Sequence, residues 1–205
     1  VPTNGTQSDT GAGGEVSGSY CTWNPLNKGS SITTSDGNLK AQLGSTGHVM
    51  ITGTMGMTSG KYYWEVVTNG WNTSNQGPVV GVVGSTHDIS TQAGTPGPSV
   101  LYRAEGAVHV NGSVPITGQT TFTTGDVIGV ALDLDNNNIT WYKNGAQMYQ
   151  YTSLSTSVST WIPAWKDSDS GGNAVGNWGQ RAFAHSAPSG FKALCTTNLP
   201  TPTIA

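Results

Sequence analysis

The chain has very little charge. Of its 205 residues only eight are Lys or Arg and eleven are Asp or Glu, together 9%, with a formal net charge of −3. So few cations cannot neutralise a run of phosphates, which makes nucleic acid a poor candidate partner and excludes anionic membranes. Long apolar runs are also missing: no stretch approaches the roughly 20 apolar residues of a membrane span, and no basic-then-apolar leader opens the chain. Helix formers are scarce, and no window of ten or more residues keeps an apolar period of 3.6. Cysteine appears twice, at Cys21 and Cys195, with no CxxC or HxxxH pattern, so a structural zinc site has no ligand set. The two thiols leave open a disulfide between the terminal strands or two buried free cysteines, the more ordinary state.

What is abundant is turn and strand chemistry. Glycine occurs 29 times, and seven Trp and seven Tyr stand against three Phe. Residues 1–17, "VPTNGTQSDTGAGGEVS", read as a linker or surface arm, and residues 18–205 as one β-rich domain. Within that domain short strand-like runs alternate with turn signals. In "GKYYWEVVTNG" (60–70), Tyr62, Trp64 and Val66 share one face. "GPVVGVVGS" (77–85) is a continuous apolar run around Gly81, as a strand pressed between other layers requires. "SVLYRAEG" and "AVHVNG" (99–112) read as a hairpin. In "GDVIGVALDLDNNNITWYKNG" (125–145), Ile128, Val130, Leu132 and Leu134 fall on one face, "DNNN" supplies a turn, and Asn144-Gly145 supplies another. Trp64, Trp141 and Trp161 are expected in the core. The spacing of the strands is that of a sandwich or barrel.

Several of these strings, in this order, resemble the SPRY domain, the core of B30.2 domains: "SGKYYWEVV", "VVGVVGS", "GDVIGVALDLDNNNITWYKNG", "IPAW" and "GNWGQRAF". The resemblance spans Tyr20 to Leu199. It implies an all-β, concanavalin-like sandwich of two antiparallel sheets, acting without catalysis or cofactor as a recognition module through loops at one end. The strings "CTWNPLNKG", "SDGNLKA" and "GFKALCTTNLPTPTI" look most like the SPRY-like domains of bacteriophage tail-fibre and other virion proteins. That implies a virion or extracellular setting and a cell-surface glycan or protein as partner, with a homo-oligomer such as a trimer formed through a parent chain. The family's binding residues lie in variable loops, so none is carried across by position.

Candidate sites come from the residues. Trp71 and Asn72 in "NGWNTSNQG" (69–77), Tyr102 and Arg103 on the 99–106 hairpin, and Trp165 and Asp167 beside the oxygen-rich "KDSDSGGN" (166–173) are the expected ligand-binding set. An aromatic plate bordered by amides and carboxylates suits a sugar. Two other readings compete. Asp133 and Asp135, about 6.5 to 7 Å apart on one strand face, match the carboxylate spacing of a glycan hydrolase. A structural virion module, a decoration or fibre segment, requires no groove at all. The histidines at 48, 87, 109 and 185 show no metal-ligand spacing, and "DLDNNN" lacks the glycine and terminal glutamate of a calcium loop, so no metal is expected.

Overall fold

The computed structural model describes residues 18–70, 77–89 and 97–200, and among these it contains fifteen β-strands and no helix. The first sheet is assembled from β1 (Trp23–Lys28), β4 (Val49–Gly53), β13 (Trp161–Asp167), β6 (Val79–Gly84), β7 (Ser99–Arg103), β8 (Ala107–Val110) and β9 (Ser113–Ile116), in that lateral order. The second runs β12 (Ala146–Tyr151), β11 (Asn138–Lys143), β10 (Val127–Asp133), β5 (Lys61–Asn69), β14 (Asn173–Asn177), β3 (Lys40–Leu43) and β2 (Ile32–Ser35), while β15 (Lys192–Ala193) adds to β5 in parallel. All other ladders are antiparallel.

Alternation along each strand builds the core between the sheets. Tyr62, Trp64 and Val66 of β5 meet Ile128, Val130 and Leu132 of β10, Val80 and Val82 of β6, and Trp161 and Trp165 of β13 in one buried cluster. The expected core tryptophans are there: Trp64, Trp141 and Trp161 are each at most 3% exposed. Trp141 also donates its indole N–H to the Val80 carbonyl at 2.9 Å, so it links the two sheets by a polar bond as well as by area. The turns follow the residues that permit them. Asn137, and Asn144 with Gly145, hold the left-handed backbone of the two hairpins flanking β11, with φ of 55°, 50° and 83°.

β6 is buried along its whole length, as the unbroken "VVGVVG" run predicts. Its inner side chains enter the main core, and its outer ones join Met50, Leu101 and Ala164 in a second apolar cluster on the far face of the first sheet. Gly81 lies in that outer row because a Cβ there would run into the carbonyl of Val100. The two cysteines are free thiols, both buried. Burial pushes Cys21 up to about 11.

Truncating the sheet-bridging indole tests this core. Trp141→Ala should cost about 3–5 kcal/mol, read as a fall in the urea midpoint at unchanged m-value; a loss below about 1 kcal/mol would mean that the ring carries little of the packing.

Candidate functional site

The strand directions bring one set of loops to the end where β5 finishes and β6 begins. Gly47 N–H bonds Ser168 O, Ser170 Oγ bonds Gly44 O, Ala104 N–H bonds Pro78 O, and Gly125 N–H bonds Thr68 O. The segments 44–48, 104–106, 117–126 and 168–172 therefore gather at that end. Three basic side chains stand just below it on the outer face of the first sheet. Arg103 and Lys166 both pair with Val79, from β7 and from β13, and so share a face two strand spacings apart, about 10 Å. His109 of β8 pairs with Leu101, which places it diagonal to Arg103 at about 7–8 Å.

Burial sharpens the electrostatics of this row. Lys166 is 8% exposed and His109 9%. Desolvation, with Arg103 beside it, lowers Lys166 to about 8 in spite of Asp167. Desolvation and the charges of Arg103 and Lys166 together lower His109 to about 4. His48 is lowered as well, by burial and by Lys166. Among the described residues the carboxylate that answers this charge is Glu105, paired with Arg103 from the partly exposed 104–106 turn. Arg103 Nε and His109 Nε2 are buried and have no hydrogen-bond partner. Buried polar atoms are nearly always satisfied, and leaving one unmade costs about 1–3 kcal/mol, so two in one row call for an explanation.

Asp167, on the inner side of β13, belongs to the same end. It is 1% exposed; its Oδ1 accepts from Ser168 N–H at 2.7 Å and Asp169 N–H at 3.3 Å, while its Oδ2 has no partner. Burial raises its carboxyl to about 6, against the lowering effect of the two backbone donors. The oxygen-rich loop is thus not a solvated turn around Asp167 and Asp169, since both are buried. Backbone bonds from Leu43 to Gly172 and from Gly171 to Leu43, each 2.8 Å, hold it against β3. Among the described residues no group of three or more His, Cys, Asp or Glu side chains converges on a metal position.

The expected ligand-binding set is only partly brought together. Arg103 and Asp167 lie at this end, on opposite faces of the first sheet. Tyr102 and Trp165 do not line a surface: both are fully buried inner-face residues. The Tyr102 ring packs against Trp141 at 5.4 Å and its hydroxyl donates to Thr120 O at 2.6 Å. Alternation explains the correction, because Trp161 and Trp165 are four residues apart on one strand and must face the same way. Trp71 and Asn72 lie outside the described residues. Lys166 and His109, absent from the expected set, share the outer face of the first sheet with Arg103.

The hydrolase pair is engaged elsewhere. Asp133 accepts from Asn136 N–H at 3.0 Å, Asn136 Nδ2 at 2.8 Å and Lys61 Nζ at 3.0 Å. Burial alone would raise its carboxyl, but these donors outweigh it and hold it below the usual range. Asp135 accepts from Gly60 N–H at 2.8 Å. Both carboxylates are therefore engaged by donors of this chain, and Asp133, held below the usual range, lacks the raised pKa a general acid needs. A cavity of about 300 Å³ does open beside them, lined by Lys61, Tyr62, Asp135, Lys192 and Asn198, but the Tyr62 hydroxyl is bonded to Asn198 O and Lys61 to Asp133. Glu65, buried on the outer face of the second sheet, accepts from Tyr63 OH, Ala184 N–H and His185 N–H, which staples the 178–191 segment to β5.

The SPRY domain family model matches residues 61–165, just over half of the chain. The chain belongs to the SPRY family. Solved structures agree: the SPRY domain of human HERC1 superposes with a TM-score of 0.65 at 26% identity, covering 75% of this chain and 96% of that one. The TRIM65 PSpry domain does so at 0.61 and 16% identity, covering 78% and 92%. Stonustoxin gives 0.58 at 18% identity, over 78% of this chain and 27% of that one. At identities below a quarter the last two show the fold alone. No curated protein matches the chain. SPRY domains are generally protein-interaction modules and typically non-catalytic.

In this SPRY domain the buried carboxyl gives a pH signature. The folded pKa of Asp167, about 6, lies above its ordinary 3.8, so the folded state binds the extra proton and stability from this group falls as pH rises from about 4 to 6. Asp167→Asn keeps the acceptor and removes the charge. It should stabilise the domain by about 1–3 kcal/mol above pH 6.5, with the gain vanishing below pH ~4. Urea midpoints across that range check it, and a destabilisation at pH 7 would contradict it.

Proposed function

We propose that this SPRY domain is a non-catalytic recognition domain of a virion or other extracellular protein. It engages a cell-surface partner, a protein ahead of a glycan, through the end where the 44–48, 104–106 and 168–172 segments meet the outer face of the first sheet. The observation that carries this reading is that Arg103 Nε, His109 Nε2 and Asp167 Oδ2, three of the seven buried side-chain atoms without a hydrogen-bond partner among the described residues, stand at that end. The buried carboxylates elsewhere in the domain, Glu65 and Asp133, are each fully engaged by donors of this chain. Unsatisfied groups persist where a function retains them against stability.

The general role of SPRY domains in protein interaction supports the choice of a protein partner. The virion setting is supported by the resemblance of the terminal strings to phage tail-fibre domains. The low surface charge suits recognition by hydroxyl and amide groups with a few placed ions.

The test is a binding screen of the purified domain against host-surface protein and glycan arrays, with mass measured in solution. Saturable binding to a surface component is the expected outcome. Absence of binding to every surface, together with a stable trimer, would replace this reading with a structural module.

A further inference from the structure

We propose that the outer face of the second sheet holds a separate site for the C-terminal residue of a partner protein, whose apolar side chain enters a small cavity over Val67, Val127 and Val175 while its terminal carboxylate meets Arg181. The site lies on the other side of the sandwich from the Arg103 row. It goes beyond the loop-end reading and does not depend on it.

The first observation is open space over an apolar floor. Val127 and Val175 both pair with Val67, so valines from β10, β5 and β14 stand side by side on one face, and together they line a cavity of about 190 Å³. All three are half-buried, and none packs into either apolar cluster. The solvated face of an antiparallel sheet ordinarily carries polar residues. Three valines in register beside open space leave a surface that an apolar group can cover.

The second is free positive charge. Arg181 stands in the cavity wall and is exposed, and Lys40, opposite Val175 on β3, shares the face about 5 Å beyond it. The ion pairs among the described residues use Lys61, Arg103 and Lys143, which leaves Arg181 and Lys40 without an acid. Glu65, the acid in the lining, is occupied by Tyr63 OH and by the N–H groups of Ala184 and His185. Asp126, just before β10, is held by Lys143, Asn144 and Thr123. An unpaired guanidinium in the wall can take a carboxylate through two parallel bonds.

The third is shape. Asn177 Nδ2 donates to Ala182 O at 3.0 Å, and Glu65 accepts from Ala184 N–H at 2.8 Å and His185 N–H at 2.9 Å, so the rim is fastened to the sheet. The 184–185 backbone shuts the face at Glu65, and a segment running through has no exit there. The volume is below the roughly 300–1,000 Å³ of small-molecule sites and equals that of about six waters, room for one side chain. A C-terminal residue carries its side chain and its carboxylate on one Cα, which matches an apolar floor with a cation in the adjoining wall. Capture of a terminal carboxylate is a recurring mode of peptide recognition.

The test is a titration of the whole chain, labelled with nitrogen-15, with acetyl-Gly-Gly-Leu bearing a free carboxylate at low salt. Three comparison peptides accompany it: the same peptide as its C-terminal amide, acetyl-Gly-Gly-Gly with a free carboxylate, and acetyl-Gly-Leu-Asp-amide with an internal acid. Saturable shifts are expected at the amides of Val67, Val127, Val175 and Ala182, with each comparison peptide at least tenfold weaker. Arg181→Gln should weaken acetyl-Gly-Gly-Leu at least tenfold and Lys40→Gln several-fold, while the exposed Lys192→Gln, at the opposite end of β5, leaves it unchanged. Spectra that otherwise coincide with the parent establish that each variant is folded. Failure of acetyl-Gly-Gly-Leu to saturate these amides would overturn the proposal. Equal binding of the amide or of the internal acid would do the same, as would indifference to Arg181→Gln. A negative result here leaves the loop-end reading to the surface screen, and a negative screen leaves this site to the titration.

Discussion

The structure depends on the first sheet being dry on both sides. β6 has no exposed residue, and its neighbours β13 and β7 bury inner side chains in the main core and outer ones in the second apolar cluster. A sheet of that kind reads as unbroken Val, Gly and Leu and accepts polar side chains only at a cost. Lys166 and Asp167 stand next to each other on opposite faces of β13, and each is shifted toward its neutral form by two units or more. At about 1.4 kcal/mol per unit, each shift corresponds to about 3 kcal/mol of disfavoured charge at neutral pH. A domain of this size is stable by only about 5–15 kcal/mol. Both stand in the last two positions of β13, where the loop end of the sheet begins.

The second sheet solves the same problem in the opposite way. Glu65 is as deeply buried as Lys166, yet its two oxygens collect a hydroxyl and two backbone N–H groups, and they fasten an otherwise irregular segment across the outer face of β5. Asp133 likewise collects three donors from its own turn and from Lys61. In these two places the buried charge organises the chain. On the first sheet Arg103 Nε and His109 Nε2 are left without a hydrogen-bond partner.

This contrast also marks what could be seen in the sequence. Alternation along "YYWEVV" and "VIGVALD", the asparagine turns and the apolar run through Gly81 led to the strands, their inner faces and the sandwich, because each depends on neighbours one to four residues away. Trp165 was misplaced by attention to the oxygen-rich loop after it, although its four-residue spacing from Trp161 carried the right answer. Arg103, His109 and Lys166 come from three strands separated by 57 residues between the last two, and only the register through Val79 and Leu101 puts them on one face. No local pattern contains that register. A lone histidine in "AVHV" or a lysine in "PAWKD" looks like an edge residue until the sheet order shows that both lie on a covered face.

The scarcity of charge gives this row its weight. With eight Lys and Arg in the whole chain, Arg103 and Lys166 are a quarter of the supply, and they are held where water solvates them poorly. A charged surface residue can be moved or lost at little cost, since exposed ion pairs are worth less than about 1 kcal/mol. A cation on a dry sheet face gains no solubility for the protein and weakens its fold.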